Sequence, residues 1–432
     1  MLILFLAAAG APLAAAGAEE TDPVSAEQIA ARIRRHRTAE ATLTVTDASG
    51  RPLAGAAVIV GQVRHKFLFG CNAYMLGRCR TPAEEKAYRR RFAELLNYAT
   101  LPFYWGSYER AEGKPARPRL AEMARWCAGQ GIRTKGHPLC WHQVVPGWLP
   151  AKAPEEVEAA QLARITRDVK AFAGRIDTWD VVNEAVVMPD YGGGKNPVAA
   201  LCKRLGRAEL IRRTFARARR ASPRATLLLN DFVTSEKYAR LLRECLDAGV
   251  EIDVVGIQSH MHRRYWGARR AWDACRRFAK LGRPLHFTEL TILSGKLKTD
   301  DDWHSRRGGW TTTPDGEKRQ ARQAEELYRV LFSHPTVEAI TWWDFSDQGA
   351  WQGAPAGLLR RDMSPKPAYE ALKRLIRKEW WTGPLKLTAD AAGKVRFRGY
   401  LGAYRLTSPG GEADFELTAA GTASLTVRVR RR

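Results

Sequence analysis

The sequence predicts an α/β protein: a (β/α)8 TIM barrel with a small N-terminal β module and a C-terminal antiparallel β module. The main observation is a series of short apolar segments, typical of buried parallel strands, that alternate with longer helical or irregular stretches. The second is their number and spacing, because eight units of about 35 residues suit such a barrel. The predicted strands are residues 66–71, 98–102, 133–137, 177–182, 226–230, 254–258, 285–289 and 339–343.

The two ends of the chain predict β-rich modules on either side of the barrel. Ser25 and Gln28 stand in capping-box spacing before a helical period, which predicts a helix over 25–37. Apolar residues at 43–45 and 56–60, with a turn between them, predict a β-hairpin. The expected domains are a signal peptide at 1–18, the helix and hairpin module at 19–65, the barrel at 66–379 and a second β module at 380–432.

The N-terminus predicts a secretory signal. Residues 1–18 form a short apolar stretch that ends in small residues before Glu19, although no Lys or Arg precedes Arg32. We therefore expect a secreted protein, extracellular or periplasmic. We expect no membrane span, because no later segment approaches the roughly 20 apolar residues that a transmembrane helix needs.

Composition and spacing argue against several function classes. The formal net charge is +24, but the Lys and Arg residues are dispersed, many along predicted helices, so we expect no nucleic-acid binding. Seven cysteines in 432 residues are too few for a disulfide scaffold, and their spacing fits no zinc site, so we expect small buried side chains. His260 and His262 resemble a metal pair without an evident third ligand. We expect no metal, no cofactor and a monomer.

Polar and aromatic side chains follow the predicted strands, where a barrel of this kind builds its site. Two of them are carboxylates, Glu184 after the fourth strand and Glu289 at the end of the seventh. One carboxyl can protonate a leaving oxygen while the other attacks or stabilises an anomeric carbon, which is the chemistry of glycoside hydrolysis. The Trp and His residues nearby suit a sugar, whose C–H face stacks on indole and whose hydroxyls need polar partners.

Five segments carry a resemblance to a known family. In chain order they are 136–142, 179–184, 256–260, 288–290, and 340–351 followed by 365–369. In these segments the sequence resembles the family 10 glycoside hydrolases, the family of endo-β-1,4-xylanases, over about residues 66–379.

The resemblance implies a retaining reaction on a xylan-type polysaccharide by double displacement. Glu184 would be the acid/base and Glu289 the nucleophile, with their carboxyls about 5–5.5 Å apart. Asn183 would bind the 2-hydroxyl of the sugar at the cleavage point, and His260 would orient Glu289. The remaining expected substrate-binding residues are His137, Trp141, Gln258, Trp343 and, stacking a neighbouring sugar, Trp351. Whether His142, Asp231 and Trp342 belong to the site or only pack stays open.

The chain departs from the family where sugars are recognised. The family's Glu-Asn-Glu-Met-Lys-Trp segment, on the non-reducing side of the cleavage point, is replaced by residues 100–105, Thr-Leu-Pro-Phe-Tyr-Trp. A family Gln is Val144 here, and Phe232-Val233 stands where Tyr-Asn often follows Asn-Asp. Two alternatives therefore remain: a retaining β-glycosidase acting on another or a decorated oligosaccharide, and a noncatalytic carbohydrate-binding barrel.

Overall fold

The computed structural model of the chain describes residues 22–299 and 309–430, so the predicted signal peptide at 1–18 lies outside the described residues. The strands are β1 (Thr38–Thr46), β2 (Ala57–His65), β3 (Leu68–Asn72), β4 (Tyr98–Pro102), β5 (Arg133–His137), β6 (Thr178–Asn183), β7 (Thr226–Asp231), β8 (Val254–Ile257), β9 (Leu285–Leu290), β10 (Val337–Trp342), β11 (Leu385–Thr388), β12 (Lys394–Tyr400), β13 (Gly402–Ser408), β14 (Gly411–Leu417) and β15 (Gly421–Arg428). The α-helices are α1 (Ala26–Arg37), α2 (Pro82–Leu95), α3 (Trp105–Tyr108), α4 (Arg117–Gly129), α5 (Pro154–Phe172), α6 (Pro197–Leu205), α7 (Arg207–Ala221), α8 (Glu236–Asp247), α9 (Gly267–Ala279), α10 (Pro314–Ser333) and α11 (Pro367–Arg374).

Strands β3 to β10 close into a barrel of parallel strands in chain order, with β10 pairing β3. Each strand overlaps one of the eight predicted segments, and at least one helix follows each strand. The predicted (β/α)8 TIM barrel is therefore confirmed. The carboxyl ends of all eight strands meet at one rim, which brings together side chains that are far apart in the sequence.

Close packing between β5 and β6 sets the geometry of this rim. Gly136 leaves room for the indole of Trp179, because a Cβ at position 136 would lie 2.1 Å from Cζ3 of that ring. The indole is fully buried, meets Phe103 edge-to-face at 4.8 Å, and donates to the carbonyl oxygen of Ile176 at 3.1 Å. This packing fixes the strand ends that carry His137 and Asn183.

The predicted N-terminal β-hairpin is wrong. Strand β1 pairs with β12 and β15, whereas β2 pairs with β11 and β13 in a second sheet. The apolar faces of the two strands instead oppose each other across one small core, where Leu43 and Val60 are fully buried. Alternation correctly predicts a half-buried strand, but it does not specify the partner strand. The two β modules expected at opposite ends therefore form a single two-layer unit.

Helix α1 and the residues after α11 join this unit to the barrel. The hydroxyl of Ser25 accepts a hydrogen bond from the backbone N–H of Gln28, so the predicted helix start is confirmed. At its other end, the Arg37 guanidinium donates to the carbonyl oxygens of Phe332, His334 and Val337 at 2.5–2.7 Å. Burial lowers the pKa of Arg37 to about 10. These bonds satisfy carbonyls at the end of α10 and the start of β10 and fix α1 beside the barrel.

The seven cysteines are all unpaired, and every one except the half-buried Cys79 is buried. This agrees with the expectation that they pack as small apolar side chains. None of the helices in residues 22–299 and 309–430 combines the length and apolar character that crossing a membrane requires.

Candidate active site

A cavity of about 440 Å³ opens at the carboxyl ends of the barrel strands. The structure brings all nine sequence-predicted site residues to its wall: His137, Trp141, Asn183, Glu184, Gln258, His260, Glu289, Trp343 and Trp351. They come from the ends of β5, β6, β8 and β9 and from the segment after β10. Of these nine, Trp351 is the most exposed at 36%, whereas both glutamates are buried.

Glu184 follows β6 directly and has an unusual backbone conformation. Its φ is 59°, a value that costs energy for a residue with a Cβ, and its N–H donates to the carbonyl oxygen of Asn230 at 2.8 Å. The carboxyl Oε2 accepts from the indole Nε1 of Trp141 at 2.9 Å. Its Oε1 accepts from the side-chain amides of Gln258 at 3.2 Å and Asn183 at 3.3 Å. All three of these donors are neutral.

Glu289 lies in β9 and has a different set of neighbours. Its Oε1 accepts from Nδ2 of Asn230 at 2.8 Å, and its Oε2 lies 3.0 Å from Nε2 of His260. The other ring nitrogen of His260 lies 2.9 Å from the hydroxyl of Thr291, which orients the imidazole. The Thr288 hydroxyl in turn donates to Oδ1 of Asn230 at 2.6 Å.

Two amides connect the carboxyls across the cavity. Nδ2 of Asn230 lies 2.8 Å from both Glu289 and Oδ1 of Asn183. That same Oδ1 accepts from Gln258 at 3.1 Å. Because the oxygen of Asn183 is used by two donors, its Nδ2 is turned toward Glu184 and the cavity. A sugar hydroxyl would therefore meet a fixed N–H donor at this point.

The two carboxyls have pKa values shifted in opposite directions. Burial raises the pKa of Glu184 to about 8, and the nearby charge of Glu289 adds to this, against the hydrogen bonds from Trp141 and Gln258. Burial also opposes ionisation of Glu289, but the hydrogen bond from His260 and the neighbouring cationic groups outweigh it and hold the pKa below its usual value. Near neutral pH the first group therefore keeps its proton and the second is ionised.

A buried ion pair beneath the cavity was not singled out from the sequence. Nζ of Lys135 lies 2.6 Å from Oδ2 of Asp180, and Nδ1 of His137 lies 2.7 Å from the same oxygen. Lys135 and Asp180 are fully buried. The signal available in the sequence was a charged residue in the interior of two successive predicted barrel strands, Lys135 in the first and Asp180 in the second. Asp180 orients His137, and Lys135 contributes positive charge near Glu289.

Tyr74 and Tyr104 contribute aromatic surface that the sequence predictions omitted. Tyr104 lines the cavity, and its hydroxyl lies 3.4 Å from that of Tyr74. The ring of Tyr74 meets Trp343 edge-to-face at 5.5 Å, and Tyr104 contacts His137 at the same centroid distance. The signal for Tyr104 was its place in the altered segment 100–105, but the sequence does not show which of its aromatic rings faces the cavity.

The three undecided residues take different positions. Trp342 is fully buried on the far side of its strand and donates to the carbonyl oxygen of Ala356 at 2.9 Å, so it packs. His142 lines the cavity, with Nε2 at 3.8 Å from Glu184 Oε2, and burial lowers its pKa to about 4. Asp231 accepts from the backbone N–H of Val186 at 3.0 Å and so holds the segment after Glu184.

Comparison with known proteins agrees with this geometry. Residues 82–375 match the model of glycosyl hydrolase family 10. The Beta-1,4-xylanase of Dictyoglomus thermophilum is 28% identical over 238 residues, which cover 53% of this chain and 65% of that protein. Anti-sigma-I factor RsgI6 of Acetivibrio thermocellus is 26% identical over 417 residues, covering 93% of this chain and 50% of that protein. The chain thus spans about half to two thirds of the length of these relatives.

Solved structures show the same barrel. Xylanase 10B from Thermotoga petrophila RKU-1, in complex with xylobiose, superposes with a TM-score of 0.60 at 25% identity, covering 73% of this chain and 95% of that one. Native xylanase 10B from Thermotoga maritima has a TM-score of 0.59 at 24% identity, covering 73% of this chain and 96% of that one. Because the family model spans more than half of the residues, the chain belongs to glycosyl hydrolase family 10.

Proposed function

We propose that the protein is a retaining endo-β-1,4-xylanase that hydrolyses xylan-type plant polysaccharide by double displacement. The observation that carries the proposal is the pair of buried carboxyls at one barrel rim, one with a raised and one with a lowered pKa. Family membership and the names of several relatives support it.

In the first step, ionised Glu289 attacks the anomeric carbon while Glu184 transfers its proton to the leaving oxygen. A covalent glycosyl ester forms and the glycosidic C–O bond breaks. In the second step, the Glu184 carboxylate removes a proton from water, which attacks the anomeric carbon and releases Glu289. Burial remains the main cause of the raised pKa of Glu184, but loss of the negative charge on Glu289 in the ester removes the repulsion that adds to it. The pKa of Glu184 therefore falls in the intermediate, which favours its role as base in the second step.

The surrounding groups fit the binding of a sugar at the cleavage point. Asn183 presents its N–H to the cavity and would donate to the 2-hydroxyl, a bond that strengthens in the transition state. Trp343 and the half-buried ring of Trp141 offer faces on which a pyranose can stack. Trp351, more exposed, would stack a neighbouring sugar.

Paired substitutions test the two catalytic roles. Glu289→Ala is expected to abolish turnover of every substrate. Glu184→Ala is expected to lose activity on xylan but to retain part of it on aryl xylobiosides with good leaving groups, because such groups need little protonation. Glu112→Ala, which removes an exposed glutamate paired with Lys152, is the control and should leave both rates unchanged. Equal loss by Glu184→Ala on all substrates would contradict the assignment.

Product analysis separates the alternatives. Xylan and xylo-oligosaccharides should be cleaved internally, with retained anomeric configuration in the first product seen by NMR. Cleavage of another β-glycan but not of xylan would favour the other β-glycosidase. Binding of xylan without hydrolysis at any pH would favour a noncatalytic carbohydrate-binding barrel.

Secretion and a monomeric state also remain proposals. The apolar residues 1–18 motivate the first, and a mature N-terminus near residue 19 in protein recovered outside the cytoplasm would support it. Light scattering of the purified protein tests the second. Intact residues 1–18 on secreted protein, or a dimer mass, would contradict the respective proposal.

A further inference from the structure

One end of the cavity carries a cation that the proposed mechanism does not use. Arg270, in the first turns of α9, lines the cavity together with Trp266 and Phe232. Its guanidinium carbon lies 4.8 Å from the centre of the Trp266 ring. Among residues 22–299 and 309–430, no carboxylate forms an ion pair with Arg270, whereas arginines of α6, α7 and α10 form such pairs.

Stacking leaves the donors of this guanidinium available. The ring of Trp266 covers one face of the planar group, and the N–H bonds of a guanidinium point outward in its plane. A stacked arginine therefore remains able to bind a carboxylate through two parallel hydrogen bonds. Arg277 on the same helix donates to the carbonyl oxygen of Thr234 at 2.8 Å, which ties α9 to the segment that carries Phe232.

The electrostatic surroundings favour an anion at this point. Burial and the neighbouring charge of Arg264 both lower the pKa of Arg270, so a bound negative charge would relieve repulsion between the two guanidinium groups. The carboxyls that line the cavity do not supply that charge. Glu184 is held in its protonated form, and Glu289 is engaged by His260.

The position of Arg270 indicates which part of a substrate it meets. Tyr104 and His137 lie on the arc of the rim formed by β4 and β5. This arc carries the altered segment 100–105, which the resemblance to the family assigns to the non-reducing side of the cleavage point. Arg270 and Phe232 lie on the arc formed by β7 and β8, beyond the acid Glu184. A chain crossing the barrel mouth would therefore place its leaving-group sugars near Arg270.

We propose that Arg270, stacked on Trp266, binds the carboxylate of a uronic-acid side group on a leaving-group sugar of the substrate. The inference rests on the proposed function and narrows its substrate class to acidic, glucuronic-acid-decorated xylan. Neutral xylan would still be cleaved, but the decorated chain would be preferred.

A pair of matched substrates tests this. One is a xylo-oligosaccharide with a single glucuronic-acid branch, and the other is the same molecule with the carboxyl reduced to an alcohol. The unaltered enzyme is expected to show a kcat/KM for the acid about two to five times that for the alcohol, as one exposed, partly screened ion pair allows. The preference should fall with added salt, because Arg270 is exposed. The acidic branch should appear on the product released as the leaving group.

Two arginine variants test whether the preference for the acidic substrate depends on Arg270. Arg270→Gln is expected to bring the ratio of the two kcat/KM values to about one. Arg276→Gln removes the same charge from an exposed position about 120° away around α9 and should keep the preference. An equal ratio in the unaltered enzyme, an unchanged ratio in Arg270→Gln, or the branch on the other product would overturn the proposal.

A binding measurement tests the carboxylate site independently of the proposed catalytic activity. Calorimetry with the Glu289→Ala variant compares the affinities for the acid and the alcohol without any turnover. Tighter binding of the acid that disappears on adding Arg270→Gln supports the carboxylate site even if no xylan is hydrolysed. Equal affinities overturn it even if xylan hydrolysis is confirmed.

Discussion

One indole N–H should lower the alkaline limit of activity. Nε1 of Trp141 donates to Oε2 of Glu184 at 2.9 Å, and this bond is among the interactions that lower the pKa of Glu184 against the effect of burial. Trp141→Phe keeps an aromatic ring but removes the donor. Because an N–H stabilises the carboxylate more than the neutral acid, its loss should raise the pKa of Glu184 above the value of about 8.

The size of the shift follows from the strength of that bond. A hydrogen bond to a charged group contributes about 1.5–3 kcal/mol, and 1.36 kcal/mol corresponds to about one pKa unit. The amide donors of Gln258 and Asn183 stay in place and partly compensate. We therefore expect a rise of about one unit, near the lower end of that range. Glu184 must be protonated to act as acid, so the alkaline limb of the profile should move to higher pH.

The measurement is kcat/KM against pH with a neutral xylo-oligosaccharide, since its limbs report the ionisation of the free enzyme. Loss of sugar stacking by Trp141→Phe lowers the rate at every pH but does not move a limb. Trp148→Phe is the control, because its Nε1 donates to the backbone carbonyl of Glu109 at 3.1 Å instead. An alkaline limb that stays in place or moves to lower pH in Trp141→Phe would refute the reasoning.

Two further predictions concern the packing under the site, and both are measured by urea unfolding. Gly136→Ala should lower the free energy of unfolding by about 1–3 kcal/mol, because its Cβ would lie 2.1 Å from the Trp179 ring. Gly129→Ala, which meets open space, is the control, and similar values for the two would contradict the packing argument. Lys135→Met should lower the free energy of unfolding by about 3–5 kcal/mol, because it leaves Asp180 buried without its cation. The double variant Lys135→Met/Asp180→Asn should recover part of this lost stability, because the unpaired charge is removed. A loss under about 1 kcal/mol for Lys135→Met alone would contradict the argument that Asp180 needs its cation.

Much of the barrel was predictable because its signals are local. A strand buried on both faces reads as a short apolar run, and the polar residues after that run mark its carboxyl end. The segments 179–184 and 285–290 show both features, and they carry Glu184 and Glu289 to the same rim. Closure of the barrel then brings the two glutamates together, although 105 positions separate them in the sequence.

The remainder depends on contacts that no local pattern encodes. Alternation in β1 and β2 fixed which face of each strand is buried but not the partner strands, which lie more than 300 residues away at the C-terminal end of the chain. The same limit applies to Tyr104, since three consecutive aromatic residues follow β4 and only the packed structure shows which one faces the cavity. Phe103 enters the core instead, and Trp105 donates to Glu109.

The chemical nature of the neighbours, more than their number, makes the two carboxyls unequal. Both glutamates are buried, and each carboxyl has at least two polar neighbours. The donors to Glu184 are an indole and amides, which stabilise an anion without adding charge, so the cost of burial prevails. Glu289 has His260 in contact and Lys135 nearby, so electrostatic attraction offsets the same cost. Because both residues are glutamates, the roles of acid and nucleophile are assigned by their positions in the barrel and not by the identity of the side chain.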